Sequence, residues 1–404
     1  MTPSLASLFS AVATKQLVPV DMPKLGSHQH ELNGSGRLRA FFGEHKIKGP
    51  LRWHYFADGE EPAQDVGSFT FYDSRLKGAF RTGRKEWRMY YTGQFLSRAA
   101  PGDLLVLVRT ISGEVHALVF EAASNWLRAA KTLFDIVEEK PTFKISSSTR
   151  LDRHSLEFVS TRIIEELQLE IDVQPGTEYE ETAAAELEMA LKVNRPFPAP
   201  ARLSDVARSL VQVDESDPDD ILLKWLQTEE LVFKAIERLV VDEKLQAGFR
   251  DVDEFVDYSL SVHNRRKSRM GLALQNHLAK LFTLKNIRFS PQAYTENRKK
   301  PDFIFPGSAE YSNPRFRAQR LTMLAAKSSC KERWTQVLTE ADRISIKHLC
   351  TLEPAISEAQ TQEMTRQRVV LVVPNALQVT FSPRQREKLM SLAAFIELIR
   401  KRQK

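Results

Sequence analysis

The chain has 404 residues, of which 42% are hydrophobic, and it carries 58 Lys plus Arg against 52 Asp plus Glu. This composition is close to the average of globular domains and excludes a disordered protein. The longest strictly apolar runs, such as Val369–Val373, are far shorter than the roughly 20 residues that span a membrane, so no membrane protein is expected. The net charge of +6 favours polyanionic partners if the basic residues are concentrated locally.

The N-terminus and the cysteines indicate a cytoplasmic protein. No Lys or Arg precedes Lys15, so the positively charged start of a secretory signal is missing. Cys330 and Cys350 are too few for a four-cysteine zinc site. In a reducing compartment they are expected to be small buried hydrophobic residues.

The first part of the chain is predicted to be β-rich. Short extended segments lie at 69–72, 103–110 and 115–120, and the last two are joined by Ile111-Ser-Gly-Glu in a predicted hairpin. Residues 125–134 place apolar side chains at helical spacing, which predicts a helix that closes the sheet or barrel.

A change in composition predicts the domain boundary. An acidic segment and then Pro196-Phe-Pro-Ala-Pro suggest a connection that resists tight packing. We therefore expect one domain in residues 1–170, a hinge in 171–195 and a second domain in 196–404.

The second part is predicted to be α/β. Helical periodicity covers 203–211, 219–241 and 266–282, and the second of these helices begins on an acidic run that suits a helix N-terminus. A β-β-α-β-α-β order then predicts a central mixed sheet flanked by helices. The predicted elements are, in order, a strand at 302–305, a strand at 320–327, a helix at 331–343, a strand at 348–352, a helix at 356–367 and a strand at 369–373.

Three side chains of this region have the chemistry of a metal-dependent phosphodiesterase. Asp302 begins the first strand and Lys327 ends the second, so a carboxylate for Mg²⁺ and a lysine for the attacking water are expected to lie together. The PD-(D/E)xK nuclease pattern expects a second acid two residues before the lysine, where this chain has Ala325. Glu340, on the following predicted helix, is expected to point back and supply the missing carboxylate.

The C-terminal half resembles the catalytic half of the EcoRII-type restriction endonucleases from about residue 197 to 398. The resemblance rests on five stretches: Asn264–Arg269, Lys299–Pro306, Met323–Trp334, Glu340–Asp342 and Arg368–Pro374. In that family the second acid has moved from the strand to the following helix, the position that Glu340 holds in this sequence. The resemblance implies a PD-(D/E)xK fold in which Asp302 and Glu340 bind Mg²⁺ and Lys327 is catalytic.

Further site residues follow from the same resemblance. Tyr311 matches a tyrosine of the family, and Arg265 and Arg266 of the arginine-rich stretch are candidate DNA contacts. Gln275 replaces an acidic residue, which makes an additional metal-binding role at that position doubtful.

A basic-acidic-arginine triplet is expected to read base pairs. Lys331, Glu332 and Arg333 match the residue types that the family has at these positions. Arg and Lys donate hydrogen bonds to guanine, and a carboxylate accepts one from the cytosine amino group. The alternative is a solvated first helical turn. The implied target has outer G·C pairs, as in a CCWGG-like site, with an undetermined centre.

The N-terminal half contains a basic stretch with interleaved aromatic residues between Asp73 and Arg98, which suits a nucleic-acid groove, although a soluble edge hairpin would have the same composition. Together with Gly26–Leu32 it resembles, more weakly, the effector-binding pseudobarrel of these enzymes. The two recognition arms would be 27–33 and 81–91. The candidate DNA contacts are His28, Gln29, Arg84, Lys85, Glu86 and Arg88.

These expectations combine into a Mg²⁺-dependent type II restriction endonuclease. It would bind double-stranded DNA as a homodimer, because each active site of a two-fold dimer cuts one strand of a palindrome. The family resemblance also implies a cognate DNA methyltransferase, and an N-terminal domain that binds a second site and obstructs the catalytic cleft when unoccupied. The alternatives are a structure-specific repair nuclease and a non-catalytic DNA-binding regulator.

Overall fold

A computed structural model of the chain describes residues 9–23, 30–34, 36–60, 62–75, 85–146, 154–167, 177–330 and 333–404. None of the helices in these ranges is long and apolar enough to cross a membrane.

The N-terminal region is built on one eight-stranded sheet, which confirms the β-rich prediction. The strands are β1 Phe9–Gln16, β2 Glu31–Asn33, β3 Ile47–Phe56, β4 Ala63–Asp73, β5 Trp87–Tyr91, β6 Leu104–Thr110, β7 Val115–Phe120 and β8 Lys144–Ser146. Their order in the sheet is β2-β5-β4-β3-β7-β6-β1-β8. The predicted hairpin is the antiparallel pair of β6 and β7.

In the described part of this region, α-helices accompany the sheet. They are α1 Arg39–Phe42, α2 Phe95–Arg98, α3 Asn125–Leu133 and α4 His154–Glu166. The predicted helix is α3, which begins where the Ser124 side chain accepts from the backbone N–H of Leu127.

The first five residues of strand β6, Leu104–Val108, are apolar because both faces of the strand are covered. Leu105 and Leu107 lie in a core with Trp53 and Phe71, inside the N-terminal region. Leu104 and Val106, on the other face, lie in a second core that continues into the C-terminal region. A run of buried apolar residues, rather than strict alternation, is what a strand covered on both faces requires.

Long helices open the C-terminal region. They are α5 Thr177–Lys192, α6 Pro200–Leu210, α7 Pro218–Ala247 and α8 Val252–Leu284. Helix α7 begins at Asp217, whose side chain accepts from the backbone N–H groups of Asp219 and Asp220, with Pro218 in the first turn. The acidic run therefore marks the helix start as predicted.

A mixed five-stranded sheet follows, in the order β13-β12-β11-β10-β9. The elements are β9 Ser290–Pro291, β10 Phe303–Phe305, α9 Ser308–Ser312, β11 Thr322–Lys327, β12 Lys347–Thr351, α10 Glu358–Arg366, β13 Val369–Val372, α11 Pro383–Arg386 and α12 Leu392–Gln403. Strands β11, β12 and β13 are parallel, whereas β10 is antiparallel to β11. Together with the flanking helices, the sheet confirms the predicted α/β class.

The strand directions define one functional edge of this sheet. The carboxyl ends of β11, β12 and β13 and the amino end of β10 meet there, so Lys327 and Asp302 are brought to the same edge. We call this edge of the sheet, with the loops that leave it, the catalytic edge.

Two predictions for this part of the chain are wrong. Residues 331–343 do not form one α-helix, because the described part is a 3-10 helix at Trp334–Thr339. The predicted hinge at 171–195 does not resist packing in its described part. Helix α5 packs on α7 with Ala183 buried, and Glu186 pairs with Arg202. Glu180, Glu181 and Glu188 are exposed on this helix, whereas Glu186 is buried.

The two regions share an interface that contains apolar side chains. Helix α4 packs on α7, and both α3 and α4 pack on a 3-10 helix at Asn375–Thr380. Trp126 of α3 and Phe158 of α4 lie in the same core as Trp225 of α7. The Asn125 side chain also donates to the carbonyl of Ile356 (2.7 Å), and this bond is buried.

Candidate active site

The candidate active site lies at the catalytic edge, where Asp302 and Lys327 meet. Lys327 Nζ lies 3.2 Å from Asp302 Oδ2. The same carboxylate oxygen accepts from the backbone N–H of Ala326 (2.7 Å), and Oδ1 accepts from Gln275 Nε2 (2.8 Å). Asp302 is only 7% exposed, so these contacts hold its carboxylate in one orientation.

Glu340 reaches the same place from the residue after the 3-10 helix. Burial raises the pKa of Glu340 to about 7, while the charge of Lys327 opposes this shift and that of Asp302 adds to it. Glu340 therefore lies within electrostatic range of Lys327 and Asp302, and the catalytic roles of the three side chains stay predictions. The acid follows the 3-10 helix rather than standing on an α-helix, and its Oε2 is buried without a hydrogen-bond partner.

A buried lysine that the sequence analysis missed holds the turn at Glu340. Lys347 Nζ, at the start of β12, donates to the carbonyls of Glu340 and Ala341, the second at 2.7 Å. Ala341 has a φ of 51°, a left-handed conformation that is costly for a residue with a side chain. Lys347 therefore stabilises a turn of unusual conformation, and burial lowers its own pKa.

Tyr311 stabilises the same turn from the other side. Its hydroxyl donates to Glu296 Oε2 (2.5 Å), and that oxygen also accepts from the backbone N–H of Asp342 (3.1 Å). Burial and the hydrogen bond to Glu296 raise the pKa of Tyr311, so the hydroxyl stays protonated at neutral pH. These contacts suggest that Tyr311 positions the turn rather than taking part in the chemistry.

The donor set fits a hard divalent cation. Mg²⁺ prefers carboxylate oxygens and keeps several water ligands, so it can bind where a protein supplies one or two carboxylates. Asp302 and Glu340 are two such groups, and the buried Glu340 oxygen without a partner is a donor that a cation would satisfy. The candidate site offers these two carboxylates and not a larger set. Among the described residues, no group of three or more His, Cys, Asp or Glu side chains could hold a metal ion.

Comparison with known proteins agrees with this arrangement. Residues 233–396 match the family model described as EcoRII C terminal. The chain is 43% identical over 201 residues to the type II restriction enzyme EcoRII of Escherichia coli. Residues 233–396 therefore form an EcoRII-type C-terminal domain.

The similarity to EcoRII has a defined extent. The alignment covers 50% of this chain and 50% of EcoRII, so it spans about half of either protein. Among solved structures, a metal-depleted Ecl18kI in complex with uncleaved, modified DNA is similar with a TM-score of 0.44 and 19% identity, covering 56% of this chain and 83% of that one. A PspGI–substrate DNA complex has a TM-score of 0.37 and 17% identity, covering 57% and 93%.

The predicted base-reading triplet of the EcoRII-type domain lies only partly within the described residues. Lys331 and Glu332 are outside them, and Arg333 is exposed. The loop that leads to the triplet is held by a second residue that the sequence analysis missed. The fully buried Glu353 accepts from the backbone N–H of Cys330 through Oε2 (2.5 Å). Glu353 thus connects the loop after Lys327 to the loop after β12.

The arginine-rich stretch contacts helix α7 and the segment that precedes helix α6. Arg266 pairs with the buried Glu237 of α7 (2.6 Å), and the Arg265 guanidinium lies 4.7 Å from the Phe197 ring centroid. Part of the Arg266 side chain remains accessible, with 57% of it exposed. The DNA contacts expected of these two arginines stay predictions.

Only some of the candidate DNA contacts of the N-terminal region lie within the described residues. His28, Gln29 and Arg84 lie outside the described residues, and Lys85 is exposed. Arg88 forms ion pairs with Glu86 (2.8 Å) and Glu31 (2.9 Å). A second arginine, Arg75, pairs with Glu86 as well (2.8 Å). In this structure Glu86 and Arg88 are therefore engaged with each other and with neighbouring charges.

No simple sequence signal identifies Lys347 or Glu353. Both stand in or next to an apolar strand, where a single charged residue predicts only that the strand ends. Their burial is the informative property, because a charged side chain is rarely buried without specific partners. Gln275 was noticed only as a departure from the family, and its hydrogen bond to Asp302 required the packing of α8 on β11.

Proposed function

We propose that this chain is a Mg²⁺-dependent type II restriction endonuclease that hydrolyses both strands of DNA at a short G·C-rich palindrome of the CCWGG kind. The observation that carries the proposal is the meeting of Asp302, Lys327 and Glu340 at one edge of an EcoRII-type domain. The 43% identity to EcoRII extends over 201 residues, about half of the chain.

Each of the three residues has a distinct task in this reaction. Asp302 and Glu340 would hold Mg²⁺, which when bound supplies Lewis-acid stabilisation of the scissile phosphate. Lys327 orients the attacking water and offsets the negative charge that develops on the phosphate. The backbone N–H of Ala326 and the Gln275 amide keep the Asp302 carboxylate oriented.

The palindromic target requires two copies of the chain. Each copy would cleave one strand, so the active enzyme is a two-fold homodimer. A host that carries such an enzyme must protect its own sites, and a cognate DNA methyltransferase is the corresponding partner.

Base readout is assigned to Lys331, Glu332 and Arg333. They follow Lys327 within six residues, so recognition and cleavage would share one register along the DNA. Substituting Arg333→Ala or Glu332→Ala should weaken specific binding by about 1–3 kcal/mol for each bidentate interaction removed. Competition binding against sites substituted at each base pair tests this assignment, because uniform weakening on all sequences would mean that these residues contact the backbone.

The N-terminal region is proposed to bind a second copy of the site and to restrain cleavage while unoccupied. Its contacts support this role. Asn125 bonds the loop after β12, and α3 packs on the 3-10 helix after β13, so both contacts lie on loops that leave the catalytic edge. The loop after β12 also contains Glu353, which holds the loop after Lys327.

A point substitution tests this restraint better than removal of the N-terminal region, because the two regions share an apolar core. Asn125→Ala should accelerate cleavage of DNA with a single site. Val66→Ala is a control, since that side chain is 71% exposed on β4. Slower cleavage by Asn125→Ala than by the control would mean that the N-terminal region is a required binding platform rather than a restraint.

The nuclease activity itself is tested with supercoiled plasmid, in Mg²⁺ and in EDTA. Linear product that appears only with Mg²⁺, and whose sequenced ends share one short palindrome, is the expected result. Nicking without a common end sequence would indicate a structure-specific nuclease, and binding without cleavage a regulator.

A further inference from the structure

A tight basic loop precedes the catalytic aspartate. It comprises residues 294–300, and we call it the basic loop. The backbone N–H of Thr295 donates to the carbonyl of Lys299 (2.9 Å), and that of Lys299 to the carbonyl of Glu296 (3.1 Å). Asn297 and Arg298 have φ values of 55° and 59°. Asparagine accepts this left-handed conformation readily, but arginine does so at a cost.

Three consecutive cations of the basic loop face solvent. Arg298, Lys299 and Lys300 are all exposed, and within the described ranges none of them forms an ion pair. Lys300 Nζ lies 4.4 Å from the ring centroid of Tyr294, which is itself 65% exposed. The loop therefore carries positive charge that no described carboxylate neutralises by direct contact.

The basic loop is fastened to the catalytic residues. Its Glu296 accepts from the Tyr311 hydroxyl and from the backbone N–H of Asp342, two residues after Glu340. Lys299 stands three positions before Asp302 in the chain. Chain continuity through Pro301 fixes the other end of the loop at Asp302. The three cations consequently hold a set position relative to the site of cleavage.

We propose that the basic loop binds backbone phosphates of the DNA duplex beside the scissile bond, through Arg298, Lys299 and Lys300. Asp302 already has Lys327 as its cationic partner, so these three charges are available to an external anion. The strained conformation of Arg298 is explained if it directs the guanidinium toward that anion. The proposal rests on the proposed endonuclease function, and it assigns Tyr311 and Glu296 the task of anchoring the loop.

Salt dependence of DNA binding provides the test. Removing one cation that binds a phosphate reduces the slope of log K against log salt by about 0.9. The full-length variant Arg298→Asn/Lys299→Gln/Lys300→Gln should lower the slope by about 2 to 3, and Lys300→Gln alone by about 1. Asparagine is used at 298 because it tolerates the left-handed backbone. Arg366→Gln is the control, since it removes an exposed cation just before β13, at the opposite edge of the sheet.

The measurement uses metal-free buffer with EDTA and two duplexes of equal length, one with a CCWGG site and one without. Because phosphates carry no sequence information, the slope of the triple variant should fall by the same amount on both duplexes. Circular dichroism and thermal unfolding confirm that each variant is folded.

The outcomes separate the two proposals. A wild-type slope in both the triple variant and Lys300→Gln overturns the phosphate-binding role, while the endonuclease proposal stands. An equal reduction in Arg366→Gln overturns it too, because the effect would then be one of net charge. If the wild-type protein binds neither duplex, the endonuclease proposal fails and the role of the loop fails with it.

Discussion

Two clusters of acidic and basic side chains, one in each region of the molecule, differ in how their charges are balanced. At β5 of the N-terminal region, Glu31, Arg88, Glu86 and Arg75 form a chain of alternating ion pairs on the surface. At the catalytic edge, two acids share the neighbourhood of Lys327, and one oxygen of Glu340 is buried without a partner.

The contrast supports the proposal that the reaction takes place at the catalytic edge. Exposed ion pairs are screened by water and contribute at most about 1 kcal/mol to the free energy of unfolding. The N-terminal cluster therefore has little effect on stability. A buried carboxylate without a partner is unfavourable, and a protein retains one when a ligand or a reaction needs it. Both clusters combine acidic with basic side chains, and they differ in burial and in the balance of charge.

The largest expected effect comes from removing a catalytic side chain. Asp302→Ala, Lys327→Ala and Glu340→Ala should each reduce single-turnover cleavage at least about 1,000-fold, corresponding to about 4 kcal/mol of transition-state stabilisation. Glu397→Ala, an acid 55% exposed on α12, should cleave as wild type does. If Glu340→Ala cleaves at the wild-type rate, Glu340 does not replace the acid that is missing from the strand.

A smaller effect is expected from the buried support of Glu340. Lys347→Met removes the donor to two carbonyls, and a buried acceptor left unsatisfied costs about 1–3 kcal/mol of folding stability. Because the turn then loosens, the variant should also bind Mg²⁺ more weakly, which calorimetry measures. Unchanged Mg²⁺ affinity in a destabilised protein would mean that Lys347 supports the fold alone.

The raised pKa of Glu340 predicts how stability depends on pH. In the metal-free protein this pKa is about 7, against an ordinary value of 4.5. The protonated acid contributes its full stability below about pH 4.5, and this contribution is lost as the pH rises through about 7. Urea unfolding should therefore show wild type losing stability relative to Glu340→Gln over this range. Parallel profiles for the two proteins would contradict the burial of Glu340.

The smallest effect is expected in the N-terminal cluster. Arg88→Ala should change the free energy of unfolding by less than about 1 kcal/mol, because the ion pair is exposed. If Arg88 contacts DNA as predicted, the same variant should bind DNA more weakly in gel-shift titrations. A loss of stability above about 2 kcal/mol would instead identify the N-terminal cluster as structural.

The order of elements in the C-terminal sheet was predictable because each strand and helix has its own periodicity and its own boundary residues. Asp302 and Lys327 were predictable as a pair, since both stand at strand ends that adjacent strands bring together. The helix predicted at 331–343 was wrong in type. Its apolar spacing is compatible with either helix, and the left-handed Ala341 ends the segment only because Lys347 and Glu296 fasten the turn.

Sequence alone was sufficient for the β-rich first part, the α/β second part and the resemblance to EcoRII-type enzymes, because these depend on local pattern and on motifs close in the chain. Only the tertiary structure brought Gln275 to Asp302, Lys347 to the turn at Glu340, Glu353 to Cys330 and Asn125 to Ile356. Contacts of this kind join residues far apart in the chain or on different elements. They depend on how helices and strands pack, which no spacing along the chain records.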